Sequence, residues 1–200
     1  MRDSKTNKNF TVAALFGSPG KAGRSSTLHD AFLKPFGECC SIVKMHVYDM
    51  HIHPCTGCGF CSDRIDCIFK DDMINAYEIL LDADVVSISS PLYFSSLTGS
   101  LKCFIDRCQV FWELQKRRRE QQKKKYGFFI SVGGGDYPRM FEPSVTVIRH
   151  YFNTLGCIFN ENDYLLYGSL DTGDTVTRDM LDLAESTGRR YLKLIDRSGV

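Results

Sequence analysis

No apolar run in these 200 residues approaches the roughly 20 that a membrane-spanning helix needs. No charge of one sign dominates either: 25 Lys and Arg against 24 Asp and Glu leave a formal net charge of +1. So even a balance gives no general attraction to nucleic acid or to an anionic lipid surface. The leader Met1-Arg2-Asp3-Ser4-Lys5-Thr6-Asn7-Lys8-Asn9 is polar and lacks the apolar core of a secretory signal, which predicts a cytoplasmic protein. There is no internal repeat, no low-complexity linker and no helix-turn-helix pattern. The ATP-loop pattern G-x-x-x-x-G-K-[ST] and the dinucleotide pattern G-x-G-x-x-G are both missing. A hydrophobic content of 43% is ordinary for a globular chain, so a single domain over 1–200 with its own core is expected.

Cysteine is what the chain has in excess, with nine. A reducing compartment keeps such thiols free or metal-bound. Four of them, Cys55, Cys58, Cys61 and Cys67, form C-x2-C-x2-C-x5-C within 13 residues. A [4Fe–4S] cube needs four thiolates converging on one small volume, and short spacings let one loop, here 53–70, supply them. Gly57 and Gly59 give that loop unusual backbone angles and let amide N–H groups approach sulfur. Structural zinc prefers two well-separated ligand pairs, which this spacing does not resemble, and a disulfide framework suits secreted chains. Cys39, Cys40, Cys103, Cys108 and Cys157 lie in apolar contexts and read as small core residues.

Phe10–Phe16 is an apolar run of the kind that forms a strand buried on both faces of a parallel sheet. Gly17-Ser18-Pro19-Gly20-Lys21-Ala22-Gly23-Arg24-Ser25-Ser26-Thr27 follows, then Leu28, Ala31 and Phe32 at helical spacing. A hydroxyl-rich loop opening a helix suits one terminal phosphate, because unpaired amide N–H groups face the anion there. Ser41–Tyr48, Asp84–Ser90, Tyr126–Val132 and a segment within Cys157–Tyr167 read as the remaining strands. Asp71-Asp72 reads as an acidic first turn that complements a helix dipole. Pro91–Gly99 and Gly133–Tyr137 follow strand ends, where open α/β sheets bind ligands. Packing of Tyr93 and Phe94 into the core, and a loose turn at the glycines, are the structural alternatives. Leu101 to Trp112 reads as one long amphipathic helix. It runs into a basic connector at 115–125, with seven Lys and Arg, expected to be a solvated helix end.

Together these segments resemble the flavodoxin-like NAD(P)H-dependent FMN reductases. The likeness rests on Gly17-Ser18-Pro19, Asp71-Asp72-Met73, Ser90-Pro91-Leu92-Tyr93-Phe94 and Gly99-Ser100-Leu101-Lys102-Cys103-Phe104-Ile105-Asp106-Arg107. The compact cysteine spacing is similar to that of the iron–sulfur flavoprotein branch. The resemblance implies an α/β doubly wound five-stranded parallel sheet in the order 2-1-3-4-5, with FMN at the carboxyl ends of the strands. Ser18, Lys21, Gly23, Arg24, Ser25, Ser26 and Thr27 would hold its phosphate. Pro91, Leu92, Tyr93, Phe94, Ser95 and Ser96 would surround the isoalloxazine, with Gly133, Gly134, Gly135 and Asp136 on the other side. Cys55, Cys58, Cys61 and Cys67 would hold a [4Fe–4S] cluster. The implied activity is electron transfer between a two-electron donor such as NAD(P)H and a one-electron carrier of the ferredoxin kind, with no side-chain nucleophile or general base. A homodimer or homotetramer is implied too. A cluster-free NAD(P)H-dependent FMN or quinone reductase is the alternative. A cysteine-based redox sensor or zinc-stabilised binding module is a third reading.

Overall fold

The computed structural model describes residues 10–64, 66–117, 123–171 and 173–198, the side chains of 197 and 198 excepted. The polar leader and the middle of the basic segment, 118–122, therefore lie outside the described residues. Strand β1 (Phe10–Phe16) is central, with β2 (Cys40–His46) on one side and β3 (Val85–Pro91) on the other; β4 (Lys125–Val132) pairs with β3. All these pairings are parallel, in registers that run from Phe10↔Cys40 to Phe16↔His46 and from Val85↔Tyr126 to Pro91↔Val132. The order is 2-1-3-4-5, as expected for a flavodoxin-like sheet.

The fifth position is shared by two pieces. β5 (Cys157–Ile158) pairs with Lys125 and Tyr126, and β6 (Tyr164–Tyr167) pairs with Phe129 to Val132. Between them Asp163 bends the chain: its carboxylate accepts from the Asn160 N–H (2.8 Å) while its carbonyl accepts from the Phe129 N–H (3.0 Å).

Helices cover both faces. On one, α1 (Arg24–Leu33) and α6 (Arg178–Ser198) bury Leu28, Phe32 and Tyr191 against Val12, Phe16 and Phe128. Phe32 stacks on Phe128 with ring centroids 4.0 Å apart. Gly188 lets α6 approach α1, since a Cβ there would sit 2.1 Å from the Phe32 carbonyl oxygen. On the other face α2 (Met73–Asp82), α3 (Gly99–Arg107), α4 (Gln109–Arg117) and α5 (Glu142–Thr154) bury Met73, Leu80, Phe104 and Phe152 against Leu15, Ile88 and Phe129.

Two expectations change. The helix expected over Leu101–Trp112 is broken at Cys108, whose ψ of 11 ends α3. Arg107 turns inward there and its carbonyl accepts from the Tyr77 hydroxyl (2.8 Å). The basic segment departs in part: Arg117 and Lys123 are exposed, as a solvated helix end requires, yet both are tethered, while Lys125 is buried. Arg117 donates to the carbonyls of Cys61 (3.3 Å) and Arg64 (3.0 Å), and Lys123 to Asp82 (2.6 Å). Buried Lys125 donates to the carbonyls of Leu80 and Leu81, closing the carboxyl end of α2. Burial pulls the pKa of Lys125 down to about 8.

Candidate functional site

Because β1, β3 and β4 run parallel, the loops after them leave from one edge of the sheet. Backbone bonds tie them together. The Gly17 N–H donates to the Ser89 carbonyl (2.7 Å), and Leu92 N–H to Val132 (2.7 Å). Buried Thr98 donates its hydroxyl to the Gly17 carbonyl (2.7 Å).

Gly23 is the N-cap of α1, and no side chain caps the helix. The first-turn amides therefore open onto the loop, which suits an anion. A Cβ on Gly23 would stand 3.0 Å from both the Gly20 carbonyl oxygen and Ser18 Oγ, so the turn closes this tightly only around glycine. Part of the hydroxyl set is engaged within the loop. Ser18 Oγ accepts from the Gly20 N–H (3.2 Å), Ser26 donates to the Gly20 carbonyl (3.2 Å) and Thr27 to that of Gly23 (3.1 Å). Ser25 and Ser26 are buried, and Arg24 is partly exposed. Lys21 is exposed and paired with Asp49 at 2.6 Å.

Tyr93 and Phe94 do not pack into the core. Tyr93 is half exposed and Phe94 projects fully into solvent, at 106% relative exposure. A two-way backbone pair between Tyr93 and Ser96 (2.9 Å each way) closes a turn in which Phe94 (φ 49) and Ser95 (φ 59) are both left-handed. Two consecutive non-glycine residues in that region store strain of the kind that concentrates at functional sites. Ser95 and Tyr137 share a hydroxyl–hydroxyl bond of 2.5 Å, which joins this turn to the loop after β4.

The glycine loop is not loose. Gly133 N–H donates to the Tyr167 carbonyl (2.8 Å), and the Gly135 carbonyl accepts from Ser169 (2.8 Å). A Cβ on Gly134 would lie 2.7 Å from Asp171. Asp136 lines a cavity of about 470 Å³ with Tyr137, Arg139, Met140 and Arg149.

The cysteine segment leaves the carboxyl end of β2. Cys55, Cys58, Cys61 and Cys67 all line one cavity of about 310 Å³, together with Phe69 and Arg107. Gly57 (φ 66) and Gly59 (φ 74) are left-handed, with open space where a Cβ would point, so the loop wraps as its glycines allow. The Cys61 thiol is pushed up by burial first, then by Glu113, Cys55 and Cys67 nearby. Among the described residues no three His, Cys, Asp or Glu side chains gather closely enough for a single metal ion. A cube differs from a lone ion in holding each thiolate on its own corner iron, and four thiols spaced around one cavity fit that donor set. A buried donor in the wall fits as well, since Arg107 Nε–H has no partner.

Asp71 and Asp72 hold this segment as well as opening α2, where Asp71 accepts from the Met73 N–H (3.2 Å). Asp72 accepts from the His51 N–H (2.7 Å) and Asp71 from that of His53 (2.9 Å). Asp71 also meets Arg107 at 2.5 and 3.0 Å. Burial works against the Asp71 charge, yet Arg107 and the backbone amides hold its carboxyl below the ordinary range. The remaining cysteines are more varied than expected: Cys108 is buried, Cys39 is exposed, and Cys40, Cys103 and Cys157 are half-buried.

Sequence reasoning gave no role to His29, and took Thr98 only as part of the loop Pro91–Gly99 and Arg107 only as the end of the run Gly99–Arg107. Arg107 falls three residues after Phe104 on the apolar stripe of α3, and a cation at a core position is the signal that could have found it. His29, fully buried on α1, lies between Ser87 (2.8 Å) and Ser89 (3.0 Å) of β3.

A doubly wound sheet with ligand-facing loops at its carboxyl edge defines a flavodoxin-like protein. In agreement, an NAD(P)H:quinone oxidoreductase from Methanothermobacter marburgensis superposes with a TM-score of 0.71 at 18% identity, over 91% of this chain and 96% of that one. The chain belongs to the NADPH-dependent FMN reductase family, whose model matches residues 10–158, and within it to the iron–sulfur flavoprotein branch. An iron–sulfur flavoprotein of Archaeoglobus fulgidus is 31% identical over 93% of this chain and 97% of its own length. A second from the same organism is 35% identical over 62% of this chain, and that match spans about half (54%) of the relative. Among the described residues no helix is long and apolar enough to cross a membrane.

Proposed function

We propose that this chain is an electron-transfer oxidoreductase holding FMN on the loops 17–27, 91–98 and 133–136 and a [4Fe–4S] cluster on Cys55, Cys58, Cys61 and Cys67. Bound together, flavin and cluster supply the exchange between a two-electron donor and one-electron carriers. NAD(P)H as donor, a ferredoxin-like acceptor, and association as a homodimer or homotetramer complete the reading.

The roles of the chain's own residues follow from their placement. The uncapped first turn of α1 and the Ser18 and Ser25 hydroxyls receive the phosphate, joined by Ser26 and Thr27 once they turn from the Gly20 and Gly23 carbonyls, with Arg24 and Lys21 adding charge. Lys21 has to leave Asp49 to do so. Pro91 to Ser96 present Tyr93 and Phe94 to the flat ring, and Gly133 to Asp136 bring bare backbone to its opposite side. The observation that carries the reading is the gathering of all four cysteines around one cavity, on a segment that leaves the same edge of the sheet as the three FMN loops.

The test is chemical analysis of the full chain purified without oxygen, expected to give about one FMN and about four iron and four sulfide per chain. Flavin without iron under those conditions would establish the cluster-free reductase instead. One zinc and no flavin would point to a zinc-stabilised module.

A further inference from the structure

Among the described residues Arg107 is one of the largest fully buried side chains, at 1% exposure. Its terminal nitrogens are fully engaged. Nη1 donates to the His53 carbonyl (2.7 Å) and to Asp71 (2.5 Å), and Nη2 to Asp71 (3.0 Å) and the Phe69 carbonyl (3.4 Å). His53 lies two residues before Cys55, and Phe69 two after Cys67. One guanidinium thus clamps both ends of the cysteine loop, resting 5.3 Å from the Phe69 ring, on which His53 stacks.

A clamp alone does not explain the rest. The same side chain lines the four-cysteine cavity, and its Nε–H is a buried donor without a partner. Leaving such a donor unmet costs stability, and a buried ion pair is weak evidence of a stabilising purpose. A buried cation with a spare N–H beside four thiolates is suited to an anionic sulfur acceptor, and hydrogen bonds and charge near sulfur set cluster potentials.

We propose that Arg107 is a positioning residue for the cluster: it gives its Nε–H to a cluster sulfur and its charge raises the cluster's reduction potential, while Asp71 moderates that charge. This rests on the cluster reading above. It makes the two partners act oppositely. Removing the cation leaves the extra electron of the reduced cluster less favoured, and removing the carboxylate leaves it more favoured.

The experiment is a potentiometric titration of the anaerobically purified full chain, with the reduced cluster followed by electron paramagnetic resonance and iron counted in every sample. At the wild-type midpoint, Arg107→Gln is expected to raise the oxidised-to-reduced ratio about tenfold, which is about 59 mV for a one-electron couple. Asp71→Asn, which still accepts from the His53 N–H, is expected to lower the ratio. Arg107→Lys keeps the charge without the planar Nε–H and should fall between wild type and Arg107→Gln; it stands in if Arg107→Gln does not hold iron. Ratios within twofold of wild type, or shifts of the same sign in both partners, would overturn the inference while leaving the cluster reading intact. Wild-type protein without iron would overturn the cluster reading itself, and the inference with it.

Discussion

Acidification should loosen α1 from the sheet through one residue, His29. Its ring is fully buried, with Nε2 2.8 Å from the Ser87 hydroxyl and Nδ1 3.0 Å from that of Ser89. It stacks on Phe16 at 4.3 Å, and His46 stacks on Phe16 at 4.6 Å. A neutral imidazole donates from one nitrogen and accepts at the other, and serine hydroxyls answer both roles. Burial first, then the nearby charges of Lys44 and His46, lowers its pKa from 6.5 to about 3. The sign follows from the lowered folded value. Between those two pH values the unfolded chain binds this proton and the folded chain does not, so stability falls as pH falls. Each pH unit is worth about 1.4 kcal/mol, so the loss at pH 5 relative to neutrality is about 2 kcal/mol. Urea unfolding at pH 7 and pH 5, with FMN held constant, would read it. His29→Gln cannot titrate, so its stability should change with pH by about 2 kcal/mol less than that of the wild type. Equal pH dependence in the two proteins would refute the reasoning.

Three further outcomes follow from particular contacts. Phe94→Asn relieves a left-handed φ and should stabilise the chain by about 1 kcal/mol while weakening FMN binding at least several-fold, read by thermal melts and flavin fluorescence. Gly188→Ala should cost at least about 1–3 kcal/mol in urea, because its new Cβ meets the backbone of Phe32 and α6 must shift. Exposed ion pairs contribute about 0–1 kcal/mol, so Asp49→Asn should barely change stability. It should tighten FMN binding, however, by releasing Lys21, and equal affinity in the two proteins would remove Lys21 from the phosphate site.

How much was legible in the sequence depended on whether a feature was set by neighbours along the chain or across the fold. Phe10–Phe16 matched strand β1 residue for residue, because a strand buried on both faces has no competing pattern. The glycine- and hydroxyl-rich loop after β1 was legible too, but not its end: helical spacing shows only from Leu28, whereas α1 begins at Arg24. The break at Cys108 was not, since it depends on Arg107 turning toward Asp71, 36 residues away in sequence. Asp71 itself looked like a helix-start residue, and only its contacts with Arg107 and His53 reveal the other use. The basic segment was misleading too: Lys125 is a β4 residue whose long stem reaches the end of α2.

The cysteine segment differs from the rest of the chain in what orders it. Between His51 and Asp72 the regular structure among the described residues is a single short turn at Phe60–Ser62. Ordering it costs entropy that no ladder of backbone bonds repays. What repays it is a set of side-chain tethers: Asp71 and Asp72 at the ends, Arg107 across them, and Arg117 on the carbonyls of Cys61 and Arg64. A group held by the four thiols would add to these, because binding that needs the folded loop stabilises the folded loop. The three loops proposed to hold FMN hang instead on β1, β3 and β4, whose pairing does not involve this segment. Stripping iron with a chelator should therefore open protease cleavage within 53–70 while the melting of the sheet and FMN binding change little. Cleavage spread evenly over the chain would mean that the two sites share one cooperative unit, and the side-chain tethers would then be bystanders to the order of the loop.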